Sequence, residues 1–122
     1  MTEIHTTVTQ YTVSVFPPEL HNNIDAYSYL IQVEEAAPGR WAVRRMKRCL
    51  NADGHWDWES IPSERAEEWL AEFRHDKETA LRLAAEAAPG VRVNGKTATE
   101  MLAWVLLDGA VEPLLREDGE SE

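Results

Sequence analysis

The densest chemistry-bearing run of the chain is Arg40-Trp41-Ala42-Val43-Arg44-Arg45-Met46-Lys47-Arg48. It holds five of the 12 basic residues, and no acidic residue falls between Glu35 and Asp53. Guanidinium and ammonium groups along a strand, with an indole among them, suit phosphate neutralisation and base stacking. The same residues suit cross-strand pairing equally well. Asp57 would then lie opposite Arg48, Glu59 near Met46 and Arg44, and Glu34 and Glu35 would face the start of the strand. Residue types alone leave both readings open.

Five tryptophans are a high count for this length. Trp56 and Trp58 share one face of a strand, and the simplest antiparallel pairing puts Trp41, Val43 and Cys49 on that same face. Trp69 and Trp104 sit on helical apolar stripes. One aromatic core accounts for such a set, and so does an exposed Trp41/Trp56 patch that anchors a partner, because Trp and Arg dominate interface hot spots. Trp56 adjoins a turn and is the best placed for exposure. The candidate partner-binding residues are therefore Trp41, Arg44, Arg48 and Trp56.

Other constellations carry less. Asp53, His55 and Asp57 alternate along an extended stretch, but zinc needs three or four convergent ligands, and the turn already accounts for Asp53 and Gly54. His21 and His75 lie far away in sequence. Cys49 has basic neighbours that lower a thiol pKa, yet no nucleophile signature surrounds it. Gly95-Lys96-Thr97 lacks the first glycine of a phosphate loop. Glu64, Glu67, Glu68, Glu72 and Asp76 form an acidic row that could imitate a nucleic-acid backbone, interrupted by Arg65, Arg74 and Lys77. No arrangement supplies nucleophile, base and stabiliser together, so the expectation is no enzyme, no metal and no cofactor.

The elements that must position these residues follow from periodicity. Alternating β-branched and aromatic positions predict strands over 7–16, 27–34, 40–50 and 55–60. Ala37-Pro38-Gly39 and Asn51-Ala52-Asp53-Gly54 make the turns of a meander. Apolar residues at spacings of three and four predict a helix over 64–88 with Ser63 as its cap. That helix would be long for so small a domain, and the polar run 74–78 could hide a break, with Asp76 capping a second helix. Asn94-Gly95 predicts another turn, and Thr97 with Glu100 forms a capping box ahead of a helix over 98–108. The expected fold class is α+β: a four-stranded antiparallel meander with two or three helices packed on one face.

A chain of 122 residues fits one domain, taken as 1–115, followed by an acidic disordered tail over 116–122. The net charge is −10 and the pI near 4.8, which excludes a broadly basic nucleic-acid coat. No apolar run is long enough to cross a membrane, and residues 1–6 lack the pattern of a secretory signal. One cysteine excludes an internal disulfide and suits a reducing cytoplasm. The helix over 98–107 is apolar almost all round, so either it is the central core helix or its second face is covered by another subunit. A homodimer through 98–115 is expected on the latter ground.

The segments Trp41-Ala-Val-Arg-Arg, Asp53-Gly-His-Trp-Asp-Trp-Glu-Ser-Ile-Pro-Ser-Glu-Arg65 and Val93-Asn-Gly-Lys-Thr-Ala98 resemble those of small uncharacterised proteins of actinobacteria and their bacteriophages. The resemblance implies a small accessory protein of a bacterial cytoplasm, and brings no activity with it. The functional expectation is a non-enzymatic module that binds another, unidentified protein, such as a host factor. Mimicry of nucleic acid by the acidic row, or nucleic-acid binding through 40–48, are the alternatives.

Overall fold

The computed structural model describes residues 2–59 and 66–107. Five strands, β1 (Gln10–Val13), β2 (Ile31–Ala37), β3 (Arg40–Arg45), β4 (Arg48–Leu50) and β5 (Trp56–Trp58), pair antiparallel in chain order. Around them lie α1 (Ile24–Tyr27), α2 (Glu67–Phe73), α3 (Lys77–Ala87) and α4, helical over 98–107. A small hairpin, β6 (Arg92–Val93) and β7 (Lys96–Thr97), turns at Asn94-Gly95, where both residues take the positive φ that this dipeptide tolerates. The protein is α+β with an antiparallel meander, as its periodicity predicts.

The extra strand comes from one backbone conformation. Met46 adopts φ 58°, so the expected single strand over 40–50 folds into two, and Arg45 pairs directly with Arg48 across a two-residue loop. Methionine rarely takes positive φ, and no Gly, Pro, Asn or Asp marks the corner. The turn also reverses the alternation. In an unbroken strand Cys49 shares a face with Trp41 and Val43; here Arg44 pairs with Cys49, which moves the thiol to the other side. The outer strands shrink as well. The first keeps only Gln10–Val13, and Tyr27 belongs to α1, capped by the Asn23 side chain.

Helices cover both faces rather than one. On the first face Ile31, Val33, Trp41, Val43 and Leu50 are buried with Ala80, Leu83 and Ala84 of α3, and Met101, Leu102 and Val105 of α4 pack beside them. On the second face Ala42 and Cys49 are buried against Phe73 and Trp69 of α2. The polar break makes this possible. α2 ends at Phe73, and Asp76 caps α3 by accepting from Thr79 N at 2.8 Å. Between them, His75 exchanges backbone hydrogen bonds with Trp41, at 2.7 and 2.9 Å, beyond the reach of the three-residue β4. The expected stretch 64–88 is thus two helices among its described residues, and its acidic row is divided between them.

Thr97 and Glu100 form the expected capping box: Thr97 N donates to Glu100 at 2.7 Å, and Glu100 N to the Thr97 hydroxyl at 3.2 Å. Beyond it, α4 leaves Trp104, Leu106 and Leu107 exposed. The rest of the 98–115 segment and the 116–122 tail lie outside the described residues, as do Ser63 and Glu64. Among the described residues no helix is long and apolar enough to cross a membrane.

Candidate functional site

The sheet ends at the β3–β4 turn in a concentration of positive charge. Arg45 and Arg48 face each other there, and with Arg92 of β6 they line a cavity of about 470 Å³ beside Trp56, Glu86 and Gly90. Two of the three guanidinium groups are held from behind. Arg45 Nε donates to the Ser28 carbonyl at 2.9 Å, and an Arg92 terminal N–H donates to the Gly95 carbonyl at 3.0 Å. None of the three makes an ion pair among the described residues, and Glu86 is engaged with Arg82 at 3.2 Å. Burial, then the Arg48 charge, pushes the Arg45 pKa below its ordinary value, against a smaller opposing pull from Tyr29. Trp58 pairs with Arg48 on β5, is 58% exposed, and lines an adjoining hollow with Arg45, Met46, Lys47 and Arg48.

The four sequence-predicted residues are therefore divided. Arg48 and Trp56 do meet in the cavity. Trp41 does not: it is 5% exposed, with its ring 6.0 Å from that of Tyr11 in the first-face core. Arg44 also falls away, because it lies three positions from Trp41 and so on the opposite face. There it donates to Glu34 and makes a two-bond pair with Glu59, at 2.8 and 3.0 Å. Of the basic run, Arg40 and Arg44 are paired with carboxylates, whereas Arg45, Lys47 and Arg48 make no such pair among the described residues.

Glu59 is the centre of a second cluster. It also accepts from Arg74 at 2.6 Å and from the Cys49 thiol at 3.1 Å. The Arg74 side chain is only 4% exposed and lies 5.4 Å from the Trp69 ring, which stacks on Phe73 at 4.6 Å. Burial works to raise the Glu59 pKa, but hydrogen bonds from Arg44, Arg74 and Cys49 outweigh it and hold the carboxyl down to about 2. For Cys49, burial and the hydrogen bond to Glu59 push the thiol up to about 11, the reverse of the shift expected from its basic neighbours. These groups satisfy one another. The cluster fastens α2 to the sheet and offers no free nucleophile.

The Asp53–Asp57 stretch serves the turn: the Asn51 side-chain oxygen accepts from the backbone N–H of Asp53 and of His55. Among the described residues no group of three His, Cys, Asp or Glu side chains could hold a metal. Within the row proposed for mimicry, the described members Glu67, Glu68, Glu72 and Asp76 are all exposed, but Glu72 accepts from Asn51, Asp76 caps α3 and Glu67 lies 3.9 Å from Arg40. Sequence reasoning missed Arg45, Arg92 and Trp58 as site residues. The Asn94-Gly95 turn announces the hairpin that carries Arg92 but not its place beside Arg45; Arg45 and Trp58 depend on the unmarked turn at Met46. Comparisons of the chain with family models, curated proteins and solved structures found no match.

Proposed function

We propose that this chain is a non-enzymatic interaction module that docks an acidic segment of a partner protein on Arg45, Arg48 and Arg92, beside Trp56 and Trp58. In keeping with the resemblance noted above, the partner is a protein of a bacterial cytoplasm. One observation carries the reading: in a chain of net charge −10, three arginines converge on one cavity with no ion pair to a carboxylate among the described residues. Unpaired like charges raise the energy of the free protein, and an anion relieves it. The neighbouring indoles add the large, rigid contact surface typical of hot spots.

Lys47, Arg48 and the exposed Trp58 also favour a second reading, direct binding of nucleic acid at the same turn. Fluorescence polarisation separates the two. A labelled Asp/Glu-rich peptide should bind the wild type and lose affinity on R48E, whereas mixed-sequence single- and double-stranded DNA should bind weakly. DNA binding tighter than the peptide, with affinity falling steeply as salt rises, would replace the first reading with the second.

A further inference from the structure

We propose that the cavity bounded by Arg45, Arg48 and Arg92 is a phosphomonoester subsite, receiving a phosphorylated side chain of the docked segment. The inference rests on the docking reading above and deepens it. A carboxylate brings one charge and two oxygens, too little for three guanidinium groups that make no ion pair among the described residues. A phosphomonoester carries about two negative charges at neutral pH and three acceptor oxygens, so each arginine can have one. Arg45 and Arg92 are already oriented by the Ser28 and Gly95 carbonyls, so little freedom is lost on binding. Arg48, exposed and without a side-chain partner among the described residues, keeps its donors for the ligand. Glu86 stands at the cavity wall, where its carboxylate accepts from Arg82 at 3.2 and 3.3 Å. The cavity volume falls within the range of sites that enclose a small ligand group.

The test is calorimetric titration of the full chain with one short peptide in three forms, carrying phosphoserine, serine or glutamate at the central position. Inorganic phosphate and adenosine monophosphate are titrated in parallel. The phosphoserine form should bind roughly tenfold more tightly than the glutamate form, and the serine form most weakly. Arg92→Gln and Arg48→Gln should each collapse the phosphoserine-to-glutamate ratio toward one. Arg48 is exposed, so its variant stays informative even if Arg92→Gln fails to fold. Equal affinity for the phosphoserine and glutamate forms overturns this inference and leaves acidic docking standing. Failure of both forms to bind overturns both. Adenosine monophosphate or inorganic phosphate binding as tightly as the phosphopeptide would overturn the peptide as the source of the phosphate.

Discussion

Arg45 and Arg48 stand directly opposite one another across the two-residue Met46-Lys47 turn, and neither has a carboxylate partner among the described residues. Like charges placed opposite on a ladder weaken it. Next to Arg45 on the same strand, Arg44 shows the usual remedy, with Glu34 and Glu59 both bonded to it. The contrast supports a role for the unpaired arginines other than holding the sheet together.

If that is so, Arg48→Gln should strengthen the fold while weakening docking. Relief of the opposed charges is expected to raise unfolding free energy by about 0.5 kcal/mol, read from the midpoint of urea denaturation. Affinity for the Asp/Glu-rich peptide should fall in the same variant. A loss of stability on this substitution would mean that Arg48 serves the fold.

The turn itself makes a second prediction. Met46 pays for its φ of 58° in side-chain crowding, a strain of about 1–2 kcal/mol for an L-residue in the left-handed region. Met46→Gly removes the strain but adds unfolded-state entropy, so a net gain of about 0.5 kcal/mol is expected, and Met46→Val should lose stability. Thermal melts of both variants check the order.

This turn also explains how far the fold was legible. The β2–β3 and β6–β7 turns are announced by Pro38-Gly39 and Asn94-Gly95, and the capping box by Thr97 and Glu100, because each depends on residue types with a local physical preference. Met46 has none, and the conformation it adopts is imposed by pairing on either side. One unannounced corner therefore moved Cys49 to the other face. The second-face core went unread for a related reason. Trp69 and Phe73 lie on the same apolar stripe as Ala80 and Ala84, and only the crossing at His75 reveals that α2 and α3 serve opposite faces. Of the residues lining the candidate cavity, charge and turn proximity single out Arg48 and Trp56. Arg92 comes from a distant hairpin that only tertiary packing brings to them.

The Glu59 cluster predicts an acid-sensitive contribution to stability. Its folded-state pKa of about 2 lies below the ordinary 4.5, so folding favours the ionised form. The contribution is complete above about pH 4.5 and is lost as pH falls toward 2. Glu59→Gln should cost about 3 kcal/mol at neutral pH, because it leaves the buried Arg74 charge short of its anion. It should also flatten the stability profile across that acid window. Urea titrations at a series of pH values measure both effects.

Cys49 should be inert toward thiol reagents in the folded protein. Its side chain is fully buried and its pKa is raised to about 11, so thiolate is scarce at neutral pH. Labelling with a chromogenic disulfide should proceed only as fast as the chain opens, and should become immediate in denaturant. Rapid labelling of the native protein would contradict the packing of α2 over the second face.

The central claim is that the β3–β4 turn and the β6 arginine form one anion-docking site. The most direct measurement is a backbone and side-chain NMR titration of isotope-labelled protein with an Asp/Glu-rich peptide. The predicted result is saturable shifts at Arg45, Arg48, Arg92 and the Trp56 and Trp58 indoles, with Trp41 and Arg44 little changed. Shifts confined to α2 or α4, or no saturable shift at the arginines, would contradict the claim.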